Sequence, residues 1–166
     1  DRIPESKEER AIYRLSPAQR QRGLELVRLA ALVLFTFPGS PTVYYGDEIG
    51  LEGWEDPFNR GTYSWESGDR ELLAYFQRLG ALRRSCPPLR EGSIQWLYTS
   101  GPLLIFAREL EKSRLITVLN ASDQERELPL SEPKVRNLLT GAVLSPEDGR
   151  LRLPPRTGLL LTEDCP

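Results

Sequence analysis

The sequence predicts an α/β segment followed by an all-β one. Three observations carry that expectation. Residues 16–84 hold two helical patterns around one short run of β-branched and aromatic residues. The first helical pattern becomes apolar on nearly every side, so it must be covered all round. After Pro87-Pro88 the period changes to short apolar runs separated by Gly, Pro, Ser, Asn and Asp, the spacing of an antiparallel sandwich or barrel.

Residues 1–15 (DRIPESKEERAIYRL) are charge-rich and read as an exposed lead-in. Ser16 then opens a helix as its N-cap, with Pro17 at the first helical position and Gln19 placed to close a capping box. The second half of that helix, from Leu29, is expected to be deeply buried, and Phe37-Pro38-Gly39 stops it. Residues 42–46 (TVYYG) lack alternation and fit a strand buried on both faces of a parallel sheet, with Tyr44 and Tyr45 in the core. A Gly-bearing loop, 47–68, leads to an amphipathic helix from about Asp69 to Arg84. Its face is Leu72, Leu73, Tyr75, Phe76, Leu79 and Leu82. One parallel strand cannot make a sheet, so this part requires neighbours that the chain does not contain. The β runs expected beyond it are SIQWLY, PLLIFARE, SRLITVLNAS, RELPL, VRNLL and TGLLLTE, with the domain boundary near residues 86–92.

Composition excludes several function classes. The chain has 166 residues, 39% hydrophobic and 28% charged, the balance of a globular product. A formal net charge of −2 gives no reason to expect nucleic acid or an anionic membrane as partner. The apolar run Leu29–Phe37 is too short to span a bilayer. With no His, Ser-His-Asp triads, Cys-His pairs and His-ligated zinc are excluded. No Gly-rich phosphate loop is present. Two Cys, Cys86 and Cys165, make no disulfide framework, and their pairing is not expected. The chain starts at Asp1 and has no Met, so the natural N-terminus is expected to lie elsewhere. No signal peptide is visible, and a cytoplasmic location is expected rather than export.

The run PGSPTVYYGDEIGLEG, then DPFNR, then a Trp, then LLAYFQRLGALRRSCPPLREG, resembles the C-terminal part of α-amylase family glycoside hydrolases. It is most similar to the neopullulanase, cyclomaltodextrinase and maltogenic amylase branch, over about residues 16–92. The resemblance implies the C-terminal fragment of a (β/α)8 TIM barrel followed by an antiparallel β-sandwich. Residues 1–90 would be the last helix–strand–helix part of the barrel and 91–166 the sandwich. Barrel active sites lie on loops after strand C-termini, and 47–66 would be such a loop. The family's nucleophile Asp, acid/base Glu and third Asp lie on earlier strands, and none of their motifs occurs here. The implied intact enzyme cleaves α-1,4 and also α-1,6 glucosidic bonds with retention, acting on α-glucan oligosaccharides or cyclodextrins. The fragment alone is expected to be inactive without the missing barrel portion. No cofactor is expected; calcium is a question for the intact enzyme that nothing in these residues supports.

Glycoside hydrolysis needs two carboxyl groups about 5–5.5 Å apart for retention, or about 6.5–9.5 Å for inversion. Asp47 and Glu48 are adjacent at a strand end and point to opposite faces, so a structural role in the loop is expected for both. In the matched motif Asp56 and Arg60 are implied to touch a glucose; the plain alternative is a salt bridge holding the loop, and the two are compatible. Trp54, near the loop tip, is the candidate for stacking on sugar, whereas Trp65 and Trp96 are expected to be packing residues. Arg83 and Arg84 read as the positive end of their own helix. A non-catalytic carbohydrate-binding or interaction module, and a related oligo-1,6-glucosidase or transglycosylase, remain the alternatives. Apolar faces made for absent strands predict that the chain forms a homo-oligomer or leans on its β part for cover.

Overall fold

The computed structural model describes residues 4–163. Four helices come first: α1 (Lys7–Ile12), α2 (Pro17–Thr36), α3 (Arg70–Ser85) and α4 (Pro87–Glu91), with a 3₁₀ turn at Asp47–Ile49. Eight strands follow: β1 (Ser93–Ser100), β2 (Leu103–Leu110), β3 (Ser113–Asn120), β4 (Arg126–Pro129), β5 (Val135–Asn137), β6 (Val143–Leu144), β7 (Arg150–Leu153) and β8 (Thr157–Thr162). The helix boundaries follow local chemistry. Ser16 and Gln19 form a reciprocal capping box with Pro17 in the first turn, and Asp69 caps α3 by accepting from the Leu72 N–H.

The strands pair antiparallel into a six-stranded sheet of order β1-β2-β3-β8-β5-β6 and a two-stranded ribbon, β4-β7. The ribbon closes over one face, where Leu128, Leu151 and Leu153 meet Ile105, Ile116, Val118 and Leu161. Helices cover the other face: Leu32, Phe35, Leu72, Phe76 and Leu79 share a core with Leu115 and Leu160. Layers on both sides explain why β2 and β3 are buried without alternation. The order therefore runs helices, sheet, ribbon.

Gly158 sets the closeness of α2 to β8. A Cβ there would stand 2.6 Å from Leu32 and 3.0 Å from Leu29, so only glycine lets the helix lie this near. The C-terminus of α2 is held by two guanidinium groups. Arg108, 1% exposed, donates to the Thr36 carbonyl at 2.8 Å and the Gly92 carbonyl at 2.6 Å. Arg83 donates to the Phe35 and Phe37 carbonyls at 2.8 and 2.7 Å. Cations at a helix C-terminus complement its dipole. Arg83, in the last turn of α3 with Arg84 as expected, thus also serves α2, because its side chain is long enough to cross to the neighbouring carbonyls.

Several expectations are corrected. Residues 42–46 form no strand: Thr42, Val43 and Tyr44 lie outside any ladder and Tyr45-Gly46 turn. A strand requires a partner, and none of the eight strands neighbours this segment. Tyr44 and Tyr45 are accordingly 51% and 43% exposed instead of core. Trp65 and Trp96 are likewise 88% and 54% exposed. The second half of α2 is deeply buried as expected, at Leu29, Ala31, Leu32, Phe35 and Thr36, with Ala30 exposed there and Leu26 exposed in the half before it. The charged lead-in holds a helix, α1, with its own capping box between Ser6 and Glu9. Cys86 is half-buried at the end of α3, and Cys165 lies outside the described residues.

Candidate sugar-binding site

Residues 46–62 are shaped by two glycines. Gly46 (φ +95°) and Gly50 (φ +64°) bracket the 3₁₀ turn, and the Leu51 N–H closes back onto the Gly46 carbonyl at 2.9 Å. At Gly46 a Cβ would meet Leu51 at 2.7 Å, so the turn needs both the left-handed backbone and the empty space. Glu48 accepts from the Gly46 N–H at 2.9 Å, inside the same turn. Asp47 is exposed; partial desolvation, then the adjacent Glu48 charge, hold its carboxyl above the ordinary value.

The loop beyond is tied to the chain before and within α2. Arg20 donates to the Gly50 carbonyl at 3.1 Å and to Glu52 at 2.6 Å, while Glu52 also accepts from the Leu15 N–H at 3.1 Å. Arg10 pairs with Glu55 and lies 6.0 Å above the Trp54 ring. Tyr13 meets Trp54 edge-to-face with ring centroids 5.6 Å apart. Between these walls lies a cleft of about 650 Å³, lined by Tyr13, Arg20, Gly23, Trp54, Phe58 and Arg60 among others. That volume is in the small-ligand range of about 300–1,000 Å³.

The structure brings Trp54 and Arg60 to the cleft and leaves Asp56 beside it. Asp56 and Arg60 are ion-paired at 2.7 Å, with side chains 62% and 68% exposed. Asp47 and Glu48 do not line the cleft. Half-buried Tyr63 and exposed Trp65 form a pair with centroids 4.7 Å apart, and desolvation, followed by a hydrogen bond to Glu48, raises the Tyr63 phenol. Arg10, Tyr13, Arg20 and Gly23 were not singled out by sequence reasoning. The available signals were the Ser6-x-x-Glu9 capping pattern and a glycine inside a helix. Among the described residues no group of three or more His, Cys, Asp or Glu is placed to hold a metal ion.

No protein-family model matches this chain. It is 32% identical over 138 residues to a cyclomaltodextrinase of Thermoanaerobacter pseudethanolicus, covering 81% of this chain and 24% of that enzyme. It is 33% identical over 137 residues to a maltogenic α-amylase of Bacillus acidopullulyticus, covering 76% and 23%. The fold superposes on an α-amylase of Geobacillus thermoleovorans solved with acarbose, with TM-score 0.74, 26% identity, and coverage of 84% of this chain and 33% of that one. The likeness is therefore to one portion of the α-amylase family of glycoside hydrolases. Within it, the chain matches cyclomaltodextrinases, maltogenic amylases and neopullulanases over about 24% of their length.

Proposed function

We propose that this chain is the C-terminal part of an enzyme that degrades α-glucans. In this reading α2 is the seventh barrel helix, residues 42–46 the eighth strand, α3 the eighth helix, and residues 91–166 the β domain that follows. The observation that carries it is the state of Thr42–Tyr45. Among the described residues their N–H groups donate to no protein acceptor, and the segment carries the exposed rings of Tyr44 and Tyr45. Unpaired backbone beside an apolar surface is what a barrel strand presents when its neighbours lie on another part of the protein.

The chemistry follows from what the loop offers. Asp56 accepts and Arg60 donates, a pair suited to the hydroxyls of a glucose unit, and Trp54 supplies an apolar ring face. These groups serve to hold a sugar; attack on the anomeric carbon and protonation of the glycosidic oxygen would fall, in the intact enzyme, to carboxyl groups of the remaining barrel. It would hydrolyse α-1,4 and α-1,6 bonds of malto-oligosaccharides or cyclodextrins with retention, and the chain alone would turn nothing over. Assay of the 166-residue chain and of the longer enzyme on maltoheptaose and pullulan tests this. Turnover by the longer enzyme alone supports the reading. Turnover by the chain that survives purification, or none by the longer enzyme, overturns it.

The rival reading, a carbohydrate-binding module, has one observation in its favour. Trp96 is 54% exposed on β1, backed by Phe106 at 5.6 Å and Phe37 at 6.1 Å. Maltoheptaose binding abolished by Trp96→Ala and unaffected by Trp54→Ala would decide for it.

A further inference from the structure

A free strand at the edge of a sheet invites pairing with another chain, and natural proteins blunt such edges with charge, proline or shortness. The edges of this fold divide on that criterion. The two-stranded ribbon carries Arg126, Glu127 and Pro129 on β4 and Arg150 and Arg152 on β7, and β6 is two residues long. At the other end of the six-stranded sheet stands β1, eight residues long, with neither a charged residue nor a proline from Ser93 to Ser100. Alternate residues of an antiparallel strand turn their N–H and C=O groups outward, so β1 offers a row of them on the side away from β2.

The apolar exposure of β1 is concentrated at its midpoint. Trp96 and Leu97 are 54% and 37% exposed, and the ring of Phe37, itself 41% exposed, lies 6.1 Å from that of Trp96. The register with β2 passes over Leu97, a bulge that leaves this residue opposite no partner. Around that midpoint the strand is nearly symmetrical. A two-fold axis between Trp96 and Leu97 would set Trp96 against Leu97, Gln95 against Tyr98, Ile94 against Thr99 and Ser93 against Ser100 of an antiparallel copy. Large apolar side chains then meet each other, as do β-branched ones and hydroxyls, and no like charges are opposed.

We propose that β1 is a self-association edge: two copies of this chain pair β1 with β1, antiparallel about a two-fold axis at Trp96–Leu97, and join their sheets into one. An isologous contact of this kind closes after two copies. The two bulges face each other at the axis, and the half-strands on either side carry the ladder. Trp96 and Leu97 of both copies, with Phe37 beside them, leave water together. The contact is independent of the sugar-binding loop.

Sedimentation equilibrium of the 166-residue chain tests it, in a Tyr44→Ser/Trp65→Ser background that removes exposed rings of the 41–66 segment. That variant should be a dimer at about 100 μM, with isotope-filtered NOEs between β1 backbone protons of the two copies. Adding Leu97→Lys places two like charges at the axis and should weaken the dimer by about tenfold or more. Its melting temperature at about 1 μM, where both variants are monomeric, should match that of the background. Leu97→Lys and Leu97→Glu chains, each monomeric alone, should pair when mixed, a rescue that loss of folding cannot produce. Gln95→Lys, at an exposed position, should weaken the dimer as well. A background variant that stays monomeric at about 500 μM, undiminished dimerisation in Leu97→Lys and Gln95→Lys, or NOEs centred away from β1 overturns the proposal. A longer enzyme that is monomeric with the outward amides of β1 protected also overturns it, since the edge would then belong to the rest of its own chain.

Discussion

Residues 105–108 of β2 and 115–120 of β3 are all buried, whereas in the segment 41–66 Tyr44, Tyr45 and Trp65 stand 51%, 43% and 88% exposed. Both stretches are rich in apolar and aromatic residues, so composition does not separate them. What separates them is the availability of partners. The sheet finds a ladder on each side of β3, a ribbon on one face and helices on the other. Among the described residues the 41–66 segment meets the chain around α1, the first turns of α2 and, through Val43 and Ile49, the helical core and the start of α3, but it joins no ladder. One region is paired on every side, and the other is packed on one side only.

Substitutions in the complete region should therefore be expensive. Leu160, fully buried between α2, α3 and the sheet, is the strongest case; Leu160→Ala should destabilise by about 2–5 kcal/mol, read from chemical denaturation. Arg108→Met comes next. It leaves the Thr36 and Gly92 carbonyls without their donor and should lose about 1–3 kcal/mol. A loss below about 0.5 kcal/mol for either would show that helices and sheet do not share a load-carrying core.

The junction of α2 with the β7–β8 turn gives a smaller, pH-dependent effect. Arg156 on the β7–β8 turn pairs with Glu25 of α2 and with Asp123 at 2.6 Å. Hydrogen bonds from Arg156 and then Gln21 lower the Glu25 carboxyl below its ordinary 4.5. A carboxyl depressed in the folded state contributes stability that is complete above about pH 4.5 and is lost as pH falls through the lower folded value. The melting temperature of Glu25→Gln should therefore fall less steeply than wild type below that point, and parallel curves would contradict the linkage. Smallest of all is Trp65→Ser. With its ring 88% exposed beside Tyr63, the change should alter stability by less than about 0.5 kcal/mol and reduce self-association in sedimentation.

The same contrast governs how much could be read in advance. The Ser16–Gln19 capping box, the face of α3 and six of the eight strands follow from local signals, since caps and periods act within a few residues. Strands β6 and β7 escaped, being two and four residues long and set between turns. The 42–46 strand misled for a different reason: β-branched and aromatic residues state a preference, but pairing supplies the strand, and none of the eight strands pairs with this segment. Trp54 and Arg60, read from one contiguous motif, do line one cleft, while Asp56 lies beside it. Tyr13 and Gly23 line the same cleft only because the chain around α1 and the start of α2 fold back against a loop some forty residues on, which no local signal shows.

Amide hydrogen exchange of Thr42–Tyr45, measured in this chain and in the longer enzyme, tests the claim that this segment is an edge awaiting the rest of a barrel. Exchange within seconds in the chain and strong protection in the longer enzyme, with β3 protected in both, is the predicted result. Equal protection of Thr42–Tyr45 in the two proteins would contradict it.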